Sequence, residues 1–219
     1  MRRSRPAANA GTSGIRCGWR SSSAPTRSRR GGTAEVPYPP ELIDLGDLEL
    51  RALTTADAEP LALAVAESIE HLRPWMPWAN EESGTAEFQR GRLRSVVAQW
   101  ERREEFQYGL FPPGEPRVLG AFGLMTRRGR GTLEIGYWVH VHETGKGHAT
   151  RATAALTDVA LAVPRVKRVL IYCDEANHAS SAIPRKLGFE LVRVEESPAT
   201  APAETGRQQL WVRDRPIGA

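Results

Sequence analysis

A chain of 219 residues and 24.1 kDa, 40% hydrophobic and 7% aromatic, is sized for one well-buried core. It has no apolar run of membrane-spanning length. Its two cysteines, Cys17 in a polar stretch and Cys173 in an apolar one, make a disulfide framework improbable and fit a reducing cytoplasm better than secretion. The formal charge of +4 is uneven: eight arginines and no acid precede Glu35, which leaves 22 basic against 26 acidic side chains, near −4, in the remainder. That remainder carries no bulk charge signature for nucleic acid.

Residues 1–40 are rich in Arg, Ser, Gly, Ala and Pro without hydrophobic periodicity, and read as a disordered tail before a single domain over 41–219. The tail lacks both the amphipathic stripe of a transit peptide and the apolar centre of a secretory signal. An extension from a start codon placed too far upstream and a tether to an anionic partner both fit it. Order is expected from near Asp47, with a strand over Asp47–Leu53. Thr54-x-x-Asp57 is a capping-box pattern opening a helix to about His71. A Pro/Trp-rich loop follows to Asn80, then an amphipathic helix over Ala86–Arg103. Three strand-like runs, Phe106–Phe111, Arg117–Thr126 and Thr132–Val141, joined by short turn-rich links, predict an antiparallel meander. A glycine loop at Thr144–Ala149 opens a helix that Pro164 ends. Val166–Cys173 reads as a strand, Ser180–Leu187 as a short helix, and Phe189–Val194 and Gln208–Arg213 as the last two strands around a loop, Ser197–Gly206.

The glycine loop carries the chemistry. Gly145, Gly147 and the small Ala149 allow backbone to approach a ligand, and the helix start offers unpaired N–H groups with a positive dipole end. That suits a pyrophosphate. A P-loop is ruled out by the missing Gly-x-x-x-x-Gly-Lys-Ser/Thr pattern. A dinucleotide-binding turn needs a third glycine where Thr150 stands, although Asp174 imitates its ribose-binding acid. The preceding meander, in place of βαβ repeats, speaks against it. His140, His142 and His148 match no metal-ligand spacing, so no metal is expected.

Leu133-Glu-Ile-Gly-Tyr-Trp-Val, then Gly145-Lys-Gly-His-Ala-Thr-Arg, resembles the acetyl-CoA motif of GNAT acetyltransferases. Cys173-Asp-Glu-Ala-Asn-His-Ala-Ser and Lys186-Leu-Gly-Phe-Glu resemble the second motif of that superfamily. With His71-Leu-Arg-Pro-Trp-Met-Pro-Trp, they resemble its RimJ/RimL branch, over roughly Asp47–Arg215. The resemblance implies a mixed α/β fold: a central, mostly antiparallel sheet flanked by helices and pried open where CoA enters. It implies acetyl-CoA as cosubstrate and an amine acceptor, either a peptide N-terminus or a small molecule. Trp138, Val139, His140 and Val141 would offer strand backbone to the pantetheine arm. Thr144, Gly145, Lys146, Gly147, His148, Ala149 and Thr150 would bind pyrophosphate, with Thr144 replacing the usual Arg or Gln. Asn177 would hydrogen-bond pantetheine, and Ser180 would sit near the sulfur.

Glu134 shares a strand face with Gly136 and Trp138. The resemblance makes it a general base; a surface strand carboxylate paired with a nearby arginine is the alternative. Ser180 reads as an acid, as a helix N-cap, or as both. Trp75, Trp78 and Glu204 are candidates for the acceptor side, the tryptophans equally as core anchors. An α-amine, with pKa near 7.7–8.0, needs less base assistance than a lysine amine near 10.4. Lysine, polyamine and antibiotic amines stay open as acceptors. A CoA-binding regulatory module without turnover is the reading from another class, and a nucleic-acid contact would come only through the basic tail. No membrane partner is expected, and a second copy of the chain is a candidate partner.

Overall fold

The computed structural model describes residues 39–215, so the expected tail lies almost wholly outside the described residues. Eight strands form one sheet in the order β1-β2-β3-β4-β5-β6-β8-β7. They are β1 (Leu42–Asp44), β2 (Glu49–Ala52), β3 (Glu105–Phe111), β4 (Gly120–Met125), β5 (Thr132–Val139), β6 (Arg168–Asp174), β7 (Glu190–Glu196) and β8 (Arg207–Asp214). Every neighbouring pair is antiparallel except β5–β6. Four helices flank the sheet: α1 (Ala58–Leu72), α2 (Ala86–Glu101), α3 (His148–Ala162) and α4 (His178–Lys186).

Strand alternation sorts the core into two layers. On β5, Leu133, Ile135 and Tyr137 face the cluster containing Ala152, Leu156 and Ala160 of α3. Trp138 faces the other side, with Leu61 and Val65 of α1 and Leu93 and Val96 of α2. The expected meander is β3-β4-β5. The Thr54–Asp57 box is present: Asp57 Oδ2 accepts from Thr54 N at 2.7 Å, and the Asp57 carboxylate also takes the Arg51 guanidinium.

Four differences have local causes. β1 was not expected, because three residues at a sheet edge show no periodicity; it pairs with β2 around a turn in which Asp44 Oδ1 accepts from Gly46 N at 2.7 Å. Order therefore begins before Asp47, and Pro40 O already accepts from Tyr108 Oη at 2.8 Å. β5 stops at Val139 and not at Val141, because His140 Nδ1 accepts from His142 N and caps a 3₁₀ turn over Val141–Glu143. α4 begins at His178 with Asn177 as its cap, Oδ1 accepting from Ser180 N at 3.0 Å; Ser180 is not the N-cap.

Candidate active site

The parallel β5–β6 pairing runs only from Thr132↔Arg168 to Ile135↔Ile171, while both strands continue beyond it. The sheet thus opens at the carboxyl ends of β5 and β6. His140 N donates to Leu119 O on the β4 side. Alternation then turns the N–H and C=O of Tyr137 and Val139 toward the opening. A cleft of about 410 Å³ lies there, bounded by the end of α1, β5, the glycine loop and α4.

The glycine loop forms one wall. Gly145 and Gly147 have φ of 75° and 83°, a left-handed conformation that glycine adopts without strain. A Cβ built on either would meet no protein atom within 4 Å. The first main-chain bond of α3 is Arg151 N to Gly147 O at 3.1 Å, so the N–H groups of His148, Ala149 and Thr150 have no helical acceptor. These residues line the cleft beside Thr144. Open space above positive-φ glycines, with free N–H groups behind it, fits a pyrophosphate.

Two residues expected on the pyrophosphate are turned elsewhere. Lys146 Nζ lies 2.9 Å and His148 Nε2 3.2 Å from Glu143 Oε2, while Arg117 Nη1 lies 3.0 Å from Glu143 Oε1. Burial pushes the Glu143 carboxyl up, but the hydrogen bonds from Lys146, Arg117 and His148 and the lysine charge outweigh it and hold it below the ordinary range. The contribution expected from Lys146 and His148 is therefore main-chain geometry and partial charge, not a free side chain. His140 and Val141 also depart from the expectation. The His140 N–H is taken by Leu119 O at 2.9 Å and the Val141 N–H by Ser68 Oγ at 3.1 Å, so neither donor is free for the cleft.

Trp75, Trp138, Val139, Asn177 and Ser180 all line the cleft. Trp78 does not; it packs edge-on against Trp138, centroids 6.2 Å apart, beside a second cavity of about 250 Å³ under α2. Glu204 closes its own loop, its Oε2 accepting from Thr200 N at 2.5 Å and Ala201 N at 3.1 Å. Glu134 is only 3% exposed, and both its oxygens accept from guanidinium groups: Arg127 takes both, and Arg128 Nε takes Oε2 at 2.6 Å. The pairing is that of the alternative, but the carboxylate is buried and not on the surface, and Glu134 is not among the side chains lining the cleft. Tyr137 carries no role in the resemblance, although period-two alternation puts it on the opposite face from Trp138, and it too lines the cleft.

Asp174, the imitator of a ribose-binding acid, is fully engaged within the protein. Its carboxylate accepts from Ala176 N, Thr205 N, Thr205 Oγ1 and Gly206 N at 2.9–3.1 Å, pinning the β7–β8 loop to the end of β6. Burial raises its carboxyl, but these donors dominate and hold it below the usual range. Asp174→Asn should therefore cost roughly 2–3 kcal/mol. In a chain of this size that lowers the melting temperature by about 5–10 °C, read by calorimetry at pH 7. With a folded-state pKa below the unfolded one, this contribution is complete above the unfolded value near 3.9 and fades as pH falls through the lower folded value. The variant's deficit should shrink accordingly in acid. An equal deficit at pH 7 and at the acid limit would contradict the assignment.

An open mixed sheet with a glycine-loop cradle at its split suits a protein that binds a pyrophosphate-bearing cosubstrate. Residues 47–190 match the model described as the acetyltransferase (GNAT) domain, and the chain belongs to that family: it is an acetyl-CoA-dependent N-acetyltransferase. It is 26% identical over 145 residues to the [ribosomal protein uS5]-alanine N-acetyltransferase of Escherichia coli (strain K12), spanning 65% of this chain and 75% of that protein. The fold is similar to that of the ribosomal-protein-S5-alanine acetyltransferase of Vibrio fischeri, with TM-score 0.73 and 19% identity over 81% of this chain and 98% of that one. It is also similar to RimL, the ribosomal L7/L12 alpha-N-protein acetyltransferase solved with coenzyme A, with TM-score 0.71 and 20% identity over 80% and 98%. No helix among the described residues is long and apolar enough to cross a membrane.

Proposed function

We propose that the acceptor is the α-amine of a protein N-terminus. The observation that carries this is the absence, among the carboxylates put forward by the sequence, of a free base in the cleft. Glu134 is held by two arginines and Glu204 by its own loop. Glu143, which does line the cleft, is engaged by Arg117, Lys146 and His148. An α-amine with pKa near 7.7–8.0 is partly neutral at pH 7, whereas a lysine amine near 10.4 is almost wholly protonated. Engaged carboxylates suit the first, and the imidazoles lining the cleft are those of His71 and His148. The names of the E. coli and RimL relatives, which act on ribosomal-protein alanine and on L7/L12 α-amines, support the same class.

Acetyl-CoA supplies the activated thioester when bound. The N–H groups at the start of α3 and the glycine loop hold its pyrophosphate, and the outward N–H of Tyr137 and Val139 serve as donors along the open strand edge. Ser180 Oγ lines the cleft beside Tyr137 Oη, 3.3 Å away, and this hydroxyl pair would face the departing thiolate. Positioning and oxyanion stabilisation carry the rate, since a thiol near pKa 8.5 leaves with little acid assistance.

The test is thiol release at pH 7 with two peptides of one sequence, one with a free α-amine and blocked lysine, the other reversed. The neutral fractions alone predict a preference of about 10²-fold for the α-amine. A faster lysine peptide would reject the assignment. Binding of acetyl-CoA without turnover on any amine would favour a regulatory module.

A further inference from the structure

α4 carries Pro184 in its interior, four residues after Ser180. In a regular helix the N–H of residue 184 would donate to the carbonyl of residue 180. Proline has no N–H, and its ring crowds that carbonyl, so Ser180 O loses its helical donor. A substitute comes from β5: Tyr137 Oη donates to Ser180 O at 3.1 Å. The same phenol oxygen lies 3.3 Å from Ser180 Oγ. With its one proton given to the carbonyl, Tyr137 Oη is left to accept from the serine hydroxyl. Asn177 Oδ1 takes Ser180 N–H. Ser180 is thereby held at its N–H, its carbonyl and its hydroxyl.

The position of the bond matters as much as its chemistry. β5–β6 pairing ends at Ile135↔Ile171, and Tyr137 lies two residues beyond it on the diverging strand. The phenol crosses the opening from β5 to α4, while its ring is seated beside Phe122, centroids 6.0 Å apart, on the main core. We propose that Tyr137 is a positioning residue: through the carbonyl freed by Pro184 it sets the width of the cleft and the aim of Ser180 Oγ. The proposal rests on the acetyl-transfer reading above and adds a residue to it.

Tyr137→Phe keeps the ring and deletes the bond. Its kcat should fall about tenfold with KM for acetyl-CoA within about twofold, because alignment is lost and cradle binding is kept. Amide exchange across residues 178–186 should accelerate. In a Pro184→Ala background the restored N–H can take the Ser180 carbonyl, so the same Tyr137→Phe change should cost no more than about twofold in kcat. Equal losses in the two backgrounds would overturn the carbonyl link. Unchanged kcat, or unchanged α4 exchange, in Tyr137→Phe alone would overturn the positioning role. If Pro184→Ala does not fold, the exchange measurement decides the matter. Wild-type protein without turnover would count against the proposed function, whereas the exchange comparison would still test the Tyr137 bond.

Discussion

Gly147→Val should raise the dissociation constant for acetyl-CoA at least about tenfold, the change expected when a side chain enters space that backbone must share with a pyrophosphate. Gly147 caps α3 with φ 83° and ψ 0°, and a Cβ there would meet nothing of the protein itself within 4 Å. The added Cβ therefore enters open space at a residue that lines the cleft and displaces no neighbour. Its left-handed backbone adds strain of about 1–2 kcal/mol, so some loss of stability accompanies the loss of binding. Gly129 separates the two effects. It has φ 94°, equally open surroundings and a place in the β4–β5 turn, outside the cleft. Gly129→Val should lose stability and keep its affinity. Isothermal titration of both folded variants is the measurement, and unchanged affinity in Gly147→Val would remove the cradle.

Glu134→Gln should cost stability and leave chemistry nearly intact. The Glu134 side chain is 5% exposed, against 24% for Arg127 and 40% for Arg128. Neutralising the carboxylate leaves two guanidinium groups facing an amide. Breaking a buried pair costs about 3–5 kcal/mol. The partial exposure of both arginines discounts this to roughly 2–3 kcal/mol. The melting temperature should then fall by about 5–10 °C. Turnover of the folded variant should stay within about threefold of wild type. A catalytic base would give the opposite pattern: a ~10²–10⁴-fold loss in rate at intact stability, partly rescued by raising the pH. Calorimetry and turnover on the same preparation distinguish the two outcomes.

The sequence by itself determined features whose causes lie within a few residues. A left-handed turn requires glycine, so Gly145 and Gly147 before an apolar-periodic helix marked the cradle. Thr54 and Asp57 marked a helix start because their hydrogen bond spans three residues. Alternation along Thr132–Val139 marked a strand and sorted Tyr137 from Trp138. Even locally, competing caps were decided by geometry: Asn177, not Ser180, starts α4, because its Oδ1 reaches the third N–H of the helix.

Only the tertiary structure decided what those side chains do, because their partners come from distant parts of the chain. His140 finds Glu67 and Val141 finds Ser68, each 73 residues away. Asp174 is claimed by a loop 31 and 32 residues on, and Tyr137 reaches Ser180 across 43. An arginine partner for Glu134 was legible, but which of Arg127, Arg128 and Arg130 its carboxylate faces depends on how the β4–β5 turn folds back over β5. Backbone conformation answers to local sterics, whereas buried polar groups take whichever donors packing brings within hydrogen-bond reach, and packing is a property of the whole sheet.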